Sequence, residues 1–172
     1  MEKIKAYLIG GVISSNSQEA YSLHQKSGFG EIVGEKIQYS SSEALFLLEK
    51  GKINVFQGKK SLTLKELMKK ISKYDKRIGI KYLVFKDLRE RGYIVKTALK
   101  FGADFRVYEK GVKPGEEHAK WIVFADSESR KMTWHELSAK NRVAHSTRKT
   151  LLLGLVDEEG DITYYEVRWI KP

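Results

Sequence analysis

The sequence has 172 residues and no cysteine, and its 32 lysine and arginine residues against 22 acidic residues give a formal net charge of +10. The lack of cysteine excludes disulfides and thiolate metal sites, and it suits a reducing, cytoplasmic compartment. No apolar run approaches the roughly 18 to 20 residues that cross a bilayer, so we expect neither a membrane span nor a signal peptide. The positive charge favours a polyanion such as nucleic acid as partner, and a charge that serves solubility alone is equally compatible.

The first forty residues predict short strands and turns, because short apolar runs stand among glycine and serine. Ser40 and Glu43 have the spacing of a capping box, so the following run predicts a helix that ends at Gly51. The run KINVF then predicts a strand. Thr63 and Glu66 form a second capping box, and they open a helix whose outer face is strongly basic.

A domain boundary is predicted near residue 80, because Gly79 interrupts the apolar pattern. It separates a mixed αβ N-terminal domain, residues 1–80, from a C-terminal domain, residues 81–172. The first segment holds 14 basic and 8 acidic residues, and the second holds 18 and 14. Both halves are therefore basic, and neither is a simple nucleic-acid-binding tail.

The C-terminal segment alternates helix and strand patterns. KYLVFKDLRERG predicts a helix that ends at Gly92, and three alternating runs predict strands through Phe124. Thr133 and Glu136 form a third capping box, which opens another helix. TLLLGLV then predicts a buried strand, DEEGD a turn and ITYYEVRWI a final strand. This order predicts an α/β (α+β) domain with a mixed sheet flanked by helices.

The sequence lacks the motifs of several common kinds of site. The phosphate-cradling GxxxxGK[ST], GxGxxG and HExxH motifs are missing, and the four histidines are not at ligand spacing, so we expect neither a metal nor a cofactor. One segment does carry a signal. Residues 138–156 contain no acid but include Lys140, Arg142, Arg148 and Lys149. Such a basic block suits phosphate binding, and an exposed basic face is the alternative.

Tyr108, His118 and Lys149 together suggest a reaction. Cleavage of a phosphodiester without metal needs a base, an acid and a cation for the charged transition state, and these residue types supply all three. Taken singly, each has an ordinary interpretation. A tyrosine at a strand end usually packs, a histidine in a polar loop is usually solvated, and a lysine before a strand protects the strand edge.

Longer runs carry a family resemblance. RGYIVKTALKFGADFRVYEKG, EEHAKWIVF and VAHSTRK resemble the catalytic domain of the archaeal tRNA-splicing endonucleases over about residues 81–172, while the N-terminal half matches more loosely. The resemblance implies a nuclease-like catalytic subunit in which Tyr108 is the general base, His118 the general acid and Lys149 the electrostatic stabiliser. It implies metal-free cleavage of precursor tRNA to a 2′,3′-cyclic phosphate and a 5′-hydroxyl. The alternatives are a non-catalytic RNA-binding or structural subunit, which a missing triad residue would indicate, and a metal-dependent nuclease.

The resemblance also implies substrate recognition and assembly. A bulge-helix-bulge RNA would be recognised, with a bulged base held by Arg142 and by either Trp169 or Arg168; a buried core position is equally compatible with Trp169. A chain of this length with all three triad residues is similar to the family's homotetrameric type, a dimer of dimers. In that type an acidic turn of one subunit docks into a basic cleft of another, and the final strand pairs across a dimer. That turn is here formed by Asp157, Glu158, Glu159 and Asp161. A solvated hairpin turn is the alternative for this segment.

Overall fold

The computed structural model describes residues 3–172, which form two compact units divided between Tyr82 and Leu83. Each unit contains one mixed sheet with helices, so the predicted α/β class is confirmed. Within residues 3–172, no helix combines the length and the apolarity that crossing a membrane requires.

The first unit is built on a six-stranded sheet in the order β3-β4-β2-β1-β5-β6. Strands β1 and β5 pair in parallel, and the other neighbours are antiparallel. The strands are β1 (Ile4–Ile9), β2 (Val12–Ser15), β3 (Glu31–Val33), β4 (Lys36–Tyr39), β5 (Ile53–Gln57) and β6 (Lys60–Leu62). The helices are α1 (Gln18–Ser27), α2 (Ser41–Glu49) and α3 (Leu64–Ile71).

Helix α1 corrects the prediction of strands and turns alone over the first forty residues. Ser17 caps it by accepting a hydrogen bond from the Ala20 amide at 3.3 Å, and Gly28 ends it with φ of 67°. Ala20 is the residue of this helix that is fully buried. The helix therefore has no continuous apolar stripe, and periodicity alone does not reveal it.

The second unit is built on a five-stranded sheet in the order β11-β10-β9-β8-β7. Strands β9 and β10 pair in parallel, and the remaining neighbours are antiparallel. The strands are β7 (Ile94–Thr97), β8 (Phe105–Tyr108), β9 (Trp121–Ser127), β10 (Thr150–Val156) and β11 (Ile162–Val167), and a short 3-10 turn lies at Leu99–Phe101. Helix α4 (Ile78–Glu90) contains the division between the units, and α5 (Trp134–Ser146) follows β9.

The pattern break expected at Gly79 is wrong, because this residue lies in the first turn of α4. A single glycine costs a helix only about 1 kcal/mol, which neighbouring helix formers offset. The three predicted capping boxes, by contrast, are present at α2, α3 and α5. The final strand ends at Val167, three residues before the end of the predicted run.

Helices cover both faces of the second sheet. On one side, Ala144 of α5 is buried with Ile122 and Leu151 of the sheet. On the other side, a Cβ at Gly154 would stand 3.1 Å from Val84 of α4, so the helix lies close against β10. Because helices pack on both faces, the sheet is a rigid scaffold that can position functional side chains on the loops at its edge.

Candidate active site

Tyr108 is the last residue of β8, where the strand pairs with both neighbours. Its Cα partner in β7 is Ile94, and the preceding Val107 pairs with Trp121 in β9. Only 5% of Tyr108 is exposed. The sheet register therefore fixes the ring at the point where the chain leaves the strand.

His118 lies in the connection that returns from β8 to β9. This loop forms a short bridge between Pro114 and Glu117, and the Lys120 amide donates to the Val107 carbonyl at 2.9 Å as the chain re-enters the sheet. His118 is exposed, unlike Tyr108. The predicted hairpin is confirmed, and it presents one buried and one exposed polar side chain near its mouth.

Lys149 follows a tight turn between α5 and β10. The turn requires Arg148 to adopt φ of 56°, the one positive φ among the non-glycine residues of 3–172. This left-handed conformation is uncommon for a residue with a Cβ. The Lys149 Nζ donates to the Thr147 carbonyl at 2.9 Å and lies 5.4 Å from the centre of the Phe101 ring. The backbone turn and the ring together direct this ammonium group.

Tyr108, His118 and Lys149 all line one open pocket of about 560 Å³. The elements that build it are the β8–β9 hairpin, the 3-10 turn and the end of α5. Its lining consists of Lys100, Phe101, Arg106, Tyr108, Gly115, Glu116, Glu117, His118, Ala119, Thr147 and Lys149. Residues 41 positions apart in sequence therefore face one space, where they can reach one substrate group.

The pocket is strongly cationic on one side. Burial lowers the pKa of Lys149, and repulsion from Arg106 and then from Lys100 lowers this pKa further. Lys100 and Lys149 both lie over the Phe101 ring, at 5.5 and 5.4 Å from its centre. An anion bound beside Lys149 would lower the repulsion between these like charges.

Among the lining residues that sequence reasoning missed are two cations and one aromatic ring. Lys100, Phe101 and Arg106 belong to the run KFGADFR, which was assigned to strands and given no functional role. The signal that could have found them is the pair of basic residues that flank this run, just before Tyr108. For the described residues, no group of three side chains could hold a metal ion.

The predicted base-binding residues lie on α5 and directly after β11. Trp169 is 57% exposed, so its assignment to the core is wrong. Its ring lies 4.7 Å from the ring of His145, which is three positions after Arg142 on α5. Residues three apart share a helix face, so Trp169 and Arg142 lie on the same surface. Arg168 instead binds Glu166, with its Nε 2.8 Å from the carboxylate.

The acidic turn between β10 and β11 is held together by Asp157. One of its carboxylate oxygens accepts the amides of Glu159 and Asp161, each at 2.9 Å. Gly160 completes the turn with φ of 90°. Asp157 therefore shapes the turn, while Glu158, Glu159 and Asp161 are exposed.

Comparison with known families identifies both parts of the chain. Residues 78–164 match the model described as the tRNA intron endonuclease, catalytic C-terminal domain, and residues 4–68 match the model for the N-terminal domain of the same enzymes. The chain belongs to the tRNA intron endonuclease family. The resemblance found in the sequence is thereby confirmed, as is the prediction that the chain is an enzyme, an endoribonuclease.

Curated relatives agree with this assignment over nearly the whole chain. The tRNA-splicing endonuclease of Pyrococcus furiosus is 45% identical and covers 98% of this chain and 97% of the relative. That of Thermococcus kodakarensis is 44% identical over 96% and 97%. That of Nanoarchaeum equitans is 47% identical over 76% of this chain and 87% of the relative.

Proposed function

We propose that this chain is a tRNA-splicing endoribonuclease that cleaves precursor tRNA at bulge-helix-bulge junctions by a metal-free mechanism. Tyr108 acts as general base, His118 as general acid and Lys149 as the cation that stabilises the transition state. The observation that carries the proposal is the joint presence of these three side chains in one cationic pocket. The matched family and the names of the relatives supply the tRNA substrate.

The reaction proceeds as a transfer within the RNA. The ribose 2′-oxygen attacks the adjacent phosphorus while Tyr108, as phenolate, takes the 2′-hydroxyl proton. The bond between phosphorus and the 5′-oxygen breaks, and His118 gives its proton to that oxygen. Lys149 stabilises the extra negative charge on the phosphoryl oxygens. The products are a 2′,3′-cyclic phosphate and a 5′-hydroxyl, and DNA cannot react because it lacks the nucleophile.

A paired-substrate assay tests this chemistry. The protein is incubated in EDTA with a bulge-helix-bulge RNA and with a copy that carries a 2′-deoxyribose at each scissile position. We expect cleavage of the first RNA to cyclic-phosphate ends and no cleavage of the second. Cutting of the deoxy copy would refute the mechanism, and activity that disappears in EDTA and returns with Mg²⁺ would favour a metal-dependent nuclease.

Matched variants distinguish a catalytic from a purely RNA-binding subunit. Tyr108→Phe and His118→Gln should each lower the single-turnover rate by roughly 10²- to 10⁴-fold, the usual contribution of a general base or acid. The controls are Tyr7→Phe and His135→Gln, whose side chains are exposed and lie outside the pocket. Equal rates in all four variants would assign cleavage to something other than this pocket.

Recognition of the bulged base is proposed for Arg142 and Trp169. Their shared surface supports this pair over Arg168, whose guanidinium is engaged with Glu166. A guanidinium and an indole can stack on the two faces of one base. Trp169→Ala should therefore weaken binding of bulged RNA more than binding of a fully paired duplex, measured by fluorescence anisotropy. An equal loss for both RNAs would contradict a role in holding the bulge.

Assembly into a homotetramer is also part of the proposal. Strand β11 is an edge of its sheet, and Tyr165, Trp169 and Ile170 expose apolar surface there. The exposed acids of the turn suit a basic cleft of another copy. Glu158→Gln/Glu159→Gln should shift sedimentation to smaller species, while Glu19→Gln/Glu35→Gln should not. Asp157 is left intact because it shapes the turn. An unaltered tetramer in the first variant would exclude the turn as the contact.

A further inference from the structure

The segment 50–77 in the first unit carries most of the net charge of the chain. Its ten basic residues and two acidic residues give a net charge of +8, against +10 for the whole sequence. The basic residues are Lys50, Lys52, Lys59, Lys60, Lys65, Lys69, Lys70, Lys73, Lys76 and Arg77. The positive charge is therefore concentrated locally, and none of these ten residues lines the pocket of the second unit.

The two acids of this segment are already engaged. Glu66 pairs with Lys60 at 2.6 Å and accepts the Thr63 amide at 2.9 Å, as the capping box of α3 requires. Asp75 pairs with Lys81 at 2.9 Å and accepts the Arg77 amide at 3.1 Å. These carboxylates therefore do not neutralise the lysines that follow along α3.

Four of those lysines and one tyrosine form what we call the α3 basic surface: Lys65, Lys69, Lys73, Tyr74 and Lys76, all exposed. The chain continues helically past α3, since the Ser72 amide donates to Met68 and the Asp75 amide to Ile71. Lys65 and Lys69 lie four residues apart on α3, about 6 Å along its axis, and Lys73 follows in the turn that continues the helix. In the part of the chain that the structure describes, none of these four lysines has a carboxylate within ion-pair distance.

The fold of the first unit does not require this charge. A positive charge in the last turn, as at Lys69, complements the helix dipole, but one in the first turn, as at Lys65, opposes it. Like charges four residues apart also destabilise a helix slightly. The buried face of α3 is made by Leu67 and Ile71, which the lysines do not cover. The lysines therefore add little to the stability of the helix, and a bound anion would lower the repulsion between them.

Tyr74 is an independent indication of the ligand. It stands among the lysines and is 58% exposed. An exposed ring between exposed cations is the combination that binds unpaired nucleotides, because the ring stacks on a base while the cations contact the phosphates. An acidic protein partner would use the cations and leave the ring without this role.

We propose that the α3 basic surface is a second RNA-binding site, in which Lys65, Lys69, Lys73 and Lys76 contact backbone phosphates and Tyr74 stacks on an unpaired base. The site rests on the proposed function for its RNA ligand, and it serves affinity and not the cleavage step. The number of negative charges that each ligand offers favours RNA over the acidic turn of a second copy. That turn offers three exposed carboxylates, whereas RNA presents a phosphate at every nucleotide.

The test compares two variants of equal net charge in the full-length protein. In the first, Lys65, Lys69, Lys73 and Lys76 are changed to Gln. In the second, Lys3, Lys5, Lys26 and Lys36, which are exposed elsewhere in the same unit, are changed to Gln. Binding to the uncleavable 2′-deoxy bulge-helix-bulge RNA is measured by anisotropy between 50 and 300 mM salt, values of the order used to resolve counterion release.

We expect the first variant to bind at least tenfold more weakly at about 0.1 M salt and to lose roughly three to four units of slope in the plot of log affinity against log salt. The control should retain most of the wild-type slope. Tyr74→Ala should weaken binding roughly 5- to 100-fold and leave the slope unchanged. The single-turnover rate at saturating RNA should stay at the wild-type value in every variant, because none of these residues lines the pocket.

Other outcomes overturn the proposal and stay distinct from failure of the proposed function. Equal slopes for both quadruple variants would show that the α3 basic surface contributes only through the net charge of the protein. A change in sedimentation of the first variant with an unchanged salt slope would assign the surface to a protein contact. Failure of the wild-type protein to cleave the ribose substrate would refute the proposed activity, and the binding comparison would still decide the RNA site.

Discussion

Two groups of cations, one in each unit, show how surroundings change what a lysine can do. In the pocket, Lys149 is partly buried, its pKa is lowered by burial and by Arg106, and its Nζ is held by the Thr147 carbonyl. On the α3 basic surface, Lys65 is exposed and has no ion-pair partner among residues 3–172. A constrained, desolvated cation can stabilise one transition state strongly. Exposed cations act additively and are screened by salt.

The largest expected effect separates these two groups directly. Lys149→Gln should lower the single-turnover rate at saturating RNA by roughly 10²- to 10³-fold, the loss typical of one preorganised electrostatic contact. Lys65→Gln should leave that rate within about threefold of wild type, since exposed charges contribute little individually. The measurement is quench-flow cleavage of the bulge-helix-bulge RNA. Similar losses in both variants would remove the distinction between the groups.

A second prediction concerns the turn that delivers Lys149 to the pocket. Arg148 has φ of 56°, a conformation that costs a residue with a Cβ about 1 kcal/mol and glycine much less. Arg148→Gly should therefore raise the free energy of unfolding by roughly 0.5 to 1 kcal/mol, and Arg148→Val should lower it by about as much or more. Urea denaturation at fixed protein concentration measures both. The opposite order of stability would contradict strain at this turn.

The third prediction uses the pH dependence of the pocket. Lys100 helps to lower the pKa of Lys149, so Lys100→Gln should raise that pKa toward its ordinary value. Lys149 would then stay charged to higher pH, and the alkaline limb that its deprotonation causes should move upward in the profile of rate against pH. Lys65→Gln is the matched control on the α3 basic surface and should leave the alkaline limb where it is in the wild type. A shift to lower pH in Lys100→Gln would exclude repulsion as the cause.

The smallest expected effect concerns Glu66, in the first turn of α3. Hydrogen bonds from Lys60 and Thr63 lower the pKa of Glu66 to about 2 from its usual 4.5. Because the folded-state pKa is depressed, this contribution to stability is present above pH 4.5 and is lost as the pH falls toward 2. Glu66→Gln should flatten the pH dependence of the unfolding midpoint in that window, and Glu35→Gln should not. A dependence that Glu66→Gln leaves unchanged would assign acid sensitivity to other carboxylates.

Local sequence signals predicted the elements that local interactions specify. The capping boxes at Ser40, Thr63 and Thr133 need only residues three positions apart, and all three are present. Helix α1 was not predicted because it buries only Ala20 fully and so lacks an apolar stripe, although Ser17 and Gly28 cap its two ends. The break predicted at Gly79 was wrong because a helix tolerates one glycine when its other residues pack well.

The candidate site was only partly accessible from sequence. Motif resemblance supplied Tyr108, His118 and Lys149, whose roles remain predictions until the variants are measured. It could not supply Lys100 or Phe101, because their contribution depends on a 3-10 turn that brings them beside Lys149. It also left open whether Trp169 is buried, which depends on where β11 ends and α5 lies.

The sequence by itself determined the starts of α2, α3 and α5, the α/β class, the family and the excess of positive charge, because these depend on residue type, short spacing and runs of matching motif. The tertiary structure decided which cations share a pocket with Tyr108 and His118 and which stand alone on α3. The physical reason is that a lysine's effect depends on its distance from other charges and on its access to water. Both are fixed by strand pairing and helix packing between residues far apart in the chain.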